Sequence, residues 1–206
     1  MEEYLRSTAI VNYDHPEVRS LARALADGVP DPTTIAKRCF EWVRDEIRHS
    51  GDFQVDQPTC AASEVLQHGA GWCFAKSHLL AALLRANGLA AGLCYQRLLL
   101  DGAAGRFALH GLNAVLLPEL GWYRVDPRGN RNGVDAQFDP PNEKLAWPVT
   151  AEGEGHLQEI KADPLPSVVD VLTGYDTWEG VQSHLPDIPS GQAKLIAARA
   201  RRRHGQ

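Results

Sequence analysis

Four cysteines, Cys39, Cys60, Cys73 and Cys94, are spread along 206 residues, too far apart to build a CxxC zinc or redox element. A chain of this size does not depend on disulfide staples, so free thiols are expected. Cys73 is set apart by its neighbours. It follows Gly69-Ala70-Gly71-Trp72 and opens a helical pattern, and a thiol in the first turn of a helix is favoured as thiolate by the unpaired N–H groups and the macrodipole there. The two glycines allow a sharp turn into the helix and close approach of a substrate backbone. A nucleophilic thiol also needs a base, and the base needs a group to orient it. His110, at the head of one apolar run, and Asp126, at the end of the next, are the candidates. If the two runs pair as a hairpin, both residues lie at the end remote from the turn. Pairing centred near Pro118 sets them directly opposite, whereas pairing Leu117 with Trp122 sends them to opposite faces unless a bulge intervenes. Each residue alone has an ordinary structural reading: a small core thiol, a strand-head histidine, an Asp-Pro strand end. The conjunction is what points to nucleophilic catalysis.

The elements that must position these groups are legible in outline. Asp14-His15-Pro16 predicts a helix from Pro16 to Asp27 with Asp14 as cap, and Gly28 offers a stop. Asp31-Pro32 predicts a second, in which Ile35, Cys39, Phe40, Val43 and Ile47 draw an apolar stripe at helical period. Cys39 therefore belongs to a core. Ala61 to Gln67 reads as a short helix, and the Cys73 helix carries Leu79, Leu80, Leu83 and Leu84 to a stop at Asn87-Gly88. After Ala90 the pattern changes. Leu93–Leu100, Leu112–Leu117 and Trp122–Val125 are short apolar or aromatic runs separated by glycine- and proline-bearing turns, as in an antiparallel sheet. Helices first and sheet after predict an α+β layered fold. Beyond Asp126 eight prolines break the pattern. One or two strands are expected between Val134 and Ile160, a helix over Ser167–Leu172, a turn capped by Asp176 around Trp178, and a basic helix over Gln192–His204.

Composition bounds the function. With 44% hydrophobic and 23% charged residues and a net charge of −5, the chain reads as one globular domain with no polyanion-binding character. Nucleic acid is not an expected partner, and neither is a membrane. An acidic N-terminal start without a signal-like apolar run, and no stretch of about eighteen apolar residues, give a cytoplasmic expectation. His49, Ser50 and Asp52 follow the second helix and could line a cleft, although a histidine at a helix C-terminus commonly just complements the dipole. Lys76, Ser77 and His78 share the Cys73 helix and read as solvent-facing or packing residues. The Arg199–Arg203 run reads as a solvated tail.

Three blocks together resemble a known family. Ala62-Ser63-Glu64-Val65-Leu66, Gly71-Trp72-Cys73-Phe74-Ala75-Lys76-Ser77 and the leucine-rich stop Leu83-Leu84-Arg85-Ala86-Asn87-Gly88 look like the cysteine block of the transglutaminase-like superfamily. Leu109-His110-Gly111-Leu112-Asn113-Ala114-Val115 is similar to its histidine block, and Trp122-Tyr123-Arg124-Val125-Asp126-Pro127 to its aspartate block. The likeness covers roughly residues 35 to 130 and is closer to the small bacterial members than to the large animal cross-linking enzymes. It implies a papain-like α+β core and a single domain over residues 1–190, centred on about 31–165, with 191–206 as a basic tail. It also implies amide acyl transfer through a thioester, with Cys73 as nucleophile, His110 as base and acid, and Asp126 holding the imidazole. The substrate would be a protein, a peptide or a small amide, with no cofactor or metal. The backbone N–H of Cys73 is the natural first oxyanion donor; Gln96, Trp72 and Gln57 are candidates for a side-chain donor. Rival readings are a non-catalytic peptide-binding module on the same fold, an arylamine-acetyltransferase-like acyl transferase, and a zinc protein.

Overall fold

The structure is a computed structural model that describes residues 1–101, 105–188 and 195–196. Helices come first. α1 (Pro16–Ala26) opens with proline in its first turn, but its N-cap is His15 with no side-chain cap bond. Asp14 accepts instead from Ser7 Oγ, so its capping capacity is spent on the preceding turn. α2 (Pro32–Glu46) is capped as its sequence predicts: Asp31 accepts from Thr34 N at 2.8 Å. Its stripe of Ala36, Cys39, Phe40 and Val43 is buried. The chain then forms β1 (Arg48–His49), a single turn α3 (Ser50–Phe53), α4 (Ala62–His68) and β2 (Ala70–Gly71) before α5 (Cys73–Ala86). β1 and β2 pair in parallel, His49 against Gly71, which ties the residues after α2 to the chain just before Cys73.

α5 is buried from Cys73 through Arg85. A helix buried all round is central to a core, and its polar residues find partners internally, save that His78 Nε2 has none among the described residues. Lys76 Nζ bonds the Ile47 carbonyl and, at 3.3 Å, that of Arg44. Ser77 Oγ donates to Cys73 O at 2.8 Å, and His78 Nδ1 meets Cys60 O at 2.8 Å. The Arg85 guanidinium bonds the carbonyls of Arg6, Ala91 and Ala162. These are packing roles, and burial shifts their proton affinities: Lys76 is pulled down to about 7 and His78 to about 4, in both cases chiefly by desolvation.

The sheet follows: β3 (Ala91–Asp101), β4 (Arg106–Leu117) and β5 (Gly121–Val125), then a small hairpin of β6 (Gln137–Asp139) and β7 (Asn142–Lys144), and β8 (Gly155–Leu157). Two short helices, α6 (Pro166–Thr173) and α7 (Trp178–Ser183), precede β9 (Leu195–Ile196). The five-stranded sheet has the order β5-β4-β3-β8-β9 with antiparallel pairing throughout. Three strands fall between Val134 and Ile160 rather than one or two. α7 is capped by Thr177, whose side chain accepts from Gly180 N, where Asp176 was expected. Leu195 and Ile196, expected as helix, form a strand beside β8; the rest of that expected helix lies outside the described residues. None of the described helices is long and apolar enough to cross a membrane.

α5 lies on β3 and β4 with α1, α2 and α4 packed around it. α5 and β4 come close at Gly111: a Cβ there would sit 2.7 Å from Phe74 Cδ1 and 3.0 Å from Phe74 Cα. Hydrogen at that position is what lets the first turn of α5 reach the strand.

Candidate active site

Cys73 is the first residue of α5, with Trp72 as N-cap, so its sulfur stands where four backbone N–H groups lack helical partners. The close packing at Gly111 brings β4 up against it, and the Gly111 N–H donates to Cys73 Sγ at 3.5 Å. The next strand residue back is His110. It lies close enough to Cys73 for the two groups to influence each other's protonation, while its Nε2 lies 2.7 Å from Asp126 Oδ2. With Nε2 on the carboxylate, Nδ1 is the nitrogen left for the thiol.

The hairpin register explains the His110–Asp126 contact and differs from both alternatives considered above. Leu117 pairs with Gly121 and Asn113 with Val125. One further step sets Asp126 across from Leu112, two residues from His110 on the same face. Diagonal neighbours of that kind are within reach of long side chains, so no bulge is needed. The turn is closed by Glu119 with φ 61° and Gly121 with φ 80°.

Asp126 is fully buried and accepts two more bonds: Ala146 N on Oδ2 at 3.0 Å and Arg128 N on Oδ1 at 3.1 Å. Burial alone would raise its pKa, but the imidazolium of His110 and these two N–H groups hold it below the ordinary carboxylate value. For His110 burial likewise favours the neutral form, and the Asp126 and Cys73 charges outweigh it, carrying the ring up to about 10. A buried charge pair persists only when its remaining polar atoms are satisfied, and the Ala146 and Arg128 amides supply that.

The oxyanion candidates separate. Gln96 is fully buried and is the direct cross-strand partner of His110. Its Nε2 donates to Trp147 O at 3.1 Å, and its Oε1 has no partner among the described residues. Trp72 is buried with its indole nitrogen unpartnered among the described residues, its ring 5.4 Å edge-on to His49. Gln57 is exposed, in a left-handed conformation at φ 74°, and makes no described side-chain bond to Cys73, His110 or Asp126.

Two participants carried no signal in the sequence. Arg128 braces the site twice, through its N–H to Asp126 and through a two-pronged pair with Asp52 at 2.8 Å. The Ala146–Trp147 segment holds both Asp126 and Gln96 by backbone atoms, which any residue type could supply. No group of three or more metal-ligating side chains is found among the described residues.

Helices on an antiparallel sheet, with cysteine, histidine and aspartate meeting between α5 and β4, define a papain-like α+β protein. Residues 19–127, more than half of the chain, match the family described as the transglutaminase-like superfamily, and the chain belongs to it. Similar solved structures include a candidate cysteine protease from Cytophaga hutchinsonii (17% identity, TM-score 0.48, 61% of this chain and 40% of that one). The periplasmic domain of TgpA from Pseudomonas aeruginosa (21%, 0.45, 60% and 45%) and red sea bream transglutaminase (14%, 0.43, 61% and 29%) are also similar. The chain matches less than half the length of each. No curated protein matches.

Proposed function

We propose that this protein is a cysteine-nucleophile acyl-transfer enzyme acting on amide or peptide bonds, with hydrolysis favoured over cross-linking. The observation that carries the reading is the placement of His110 between a helix-N-terminal thiol and a buried, triply bonded carboxylate. That is the arrangement of nucleophile, base and orienting group. Cys73, its proton already held by His110, attacks the carbonyl carbon as the thiolate. The resulting oxyanion faces the N–H groups at the start of α5, with Gln96 as the side-chain donor: one amide hydrogen is held by Trp147 and the other has no partner among the described residues. The tetrahedral adduct collapses to a thioester as His110 protonates the departing amine. Water then enters, His110 takes its proton, and the acid leaves with the thiol restored.

The test is alkylation by iodoacetamide with peptide mapping. Burial pushes the thiols of Cys39, Cys60 and Cys94 up to about 12, so they stay protonated and resist. Cys73 is expected to be labelled first and fast below pH 7, and to slow in His110→Ala. Labelling spread evenly over the four cysteines refutes the reading and leaves the fold as a peptide-binding module. Rapid labelling justifies a screen of amide and peptide substrates.

A further inference from the structure

Beside these residues lies a pocket of about 220 Å³ lined by the end of α2, by β1 and α3, and by the loop after Asp126. Four arginines, Arg44, Arg48, Arg128 and Arg131, and two aspartates, Asp45 and Asp52, are among its lining residues. The carboxylates are committed. Asp45 pairs with Arg44 and Asp52 with Arg128. Arg48 and Arg131 are left with no carboxylate partner among the described residues. Arg131 is held over the Phe53 ring at 4.2 Å, which fixes its guanidinium without neutralising it. His49 adds no charge, because burial first and the nearby Arg128 cation next keep it well below its ordinary value. Its buried Nδ1 has no hydrogen-bond partner among the described residues.

Two uncompensated cations in a concave site are notable on a chain whose net charge is −5, since the overall field does not favour anions. Two of its lining residues reach towards the candidate catalytic ones: Arg128 bonds Asp126 through its N–H, and His49 packs on Trp72, the neighbour of Cys73. Its volume lies below the roughly 300–1,000 Å³ of sites for drug-sized ligands, which suits one carboxylate-bearing side chain rather than a nucleotide or other large cofactor. We infer that this pocket is a substrate subsite for a carboxylate, received by Arg48 and Arg131, so that the enzyme acts on amides whose acyl or amine portion carries an acidic group. Its use in catalysis rests on the acyl-transfer reading; its binding does not.

The test has two arms. In the first, arginine Nε signals are followed by NMR as glutarate, its uncharged diamide, or inorganic phosphate is added at constant ionic strength to wild type and to the Arg48→Gln/Arg131→Gln double variant. Glutarate is expected to bind wild type, the diamide not to bind, and the double variant to weaken glutarate by about tenfold or more, the worth of a charge-assisted hydrogen bond. No glutarate binding, or equal binding by the double variant, overturns the site; phosphate binding as tightly as glutarate overturns its assignment to carboxylates. In the second arm Cys73 is alkylated by N-iodoacetyl-glutamate and by its diamide. A saturating preference for the acidic reagent that falls towards unity in the double variant supports the subsite, and equal rates overturn its substrate role. Glutarate binding without rapid Cys73 labelling by either reagent sinks the acyl-transfer reading alone.

Discussion

Replacing Asp126 by asparagine keeps the volume of a fully buried side chain and removes its charge. The lift of His110 from 6.5 to about 10 corresponds to ~5 kcal/mol in favour of the imidazolium, won against burial by the two neighbouring negative groups. Without the carboxylate, Cys73 is the sole remaining negative partner among the groups named, while the desolvation that favours the neutral ring is unchanged. Asparagine has one oxygen for the two: kept towards His110 and Ala146 it sets its own NH2 against the Arg128 N–H, and flipped it sets that NH2 against the Ala146 N–H and His110 Nε2. The imidazole then loses both charge support and orientation. At pH 6.5 an ordinary thiol is only ~1% thiolate, so loss of the base is expected to slow iodoacetamide labelling of Cys73 by ~10- to 100-fold. Once a substrate is in hand, turnover is expected to fall by ~10³- to 10⁴-fold, the scale seen for loss of the aspartate in serine-protease triads. The assay is the second-order labelling rate between pH 5 and 9, with the unfolding midpoint recorded alongside. A variant that folds and labels like wild type across that range refutes the idea that Asp126 acts through His110.

Gly111→Ala forces a methyl to within 2.7 Å of Phe74; a loss of ~1–3 kcal/mol in urea unfolding, together with slower Cys73 labelling, is expected, and unchanged labelling would show that the first turn of α5 can shift freely. Asp52→Ala strands a guanidinium whose side chain is 11% exposed and is expected to cost ~1.5–3 kcal/mol, read by the same unfolding assay. His78, held down to about 4 by burial, leaves the unfolded chain binding the extra proton between pH 4 and 6.5, so stability rises with pH across that window, by ~3 kcal/mol in all. His78→Asn can keep the bond to Cys60 O while removing the titration, and should flatten that limb of the stability profile; an identical limb would place the dependence elsewhere.

The parts of the fold that were legible are those set by local chemistry. The Asp31 cap, the α2 stripe and the glycine stop after Asn87 each depend on residues a few positions apart, and the sheet strands on short apolar runs. What the sequence left open depended on neighbours far along the chain. Asp14 was a capable cap, but Ser7 claimed its carboxylate. The β4–β5 register turned on a single-residue choice, since period-two alternation serves pairings centred on Pro118 or Glu119 alike. The candidate site's three side chains were nameable because cysteines are few, one of them opens a helix, and the histidine and aspartate fall at facing ends of the next apolar runs. Their braces were not, because backbone amides of Ala146 and Arg128 leave no mark in residue type. The pocket beside them was foreshadowed only by His49 and Asp52, since its arginines come from α2, β1 and a loop that periodicity does not order.

Lys76 gives the molecule a built-in gauge of its own opening. Its amine bonds the last carbonyls of α2 from one turn into α5, and with an affinity near pH 7 a large share of the molecules carries it as the free, nucleophilic base under physiological conditions. Being fully buried under the end of α2 and the loop at Gly129, it can meet an acylating reagent only when one of these moves away from α5. The rate of its acetylation, set against that of exposed lysines such as Lys37 in the same sample, therefore reports how often the packing around the first turn of α5 opens, on a timescale of seconds to hours that neither alkylation of the thiol nor equilibrium unfolding resolves.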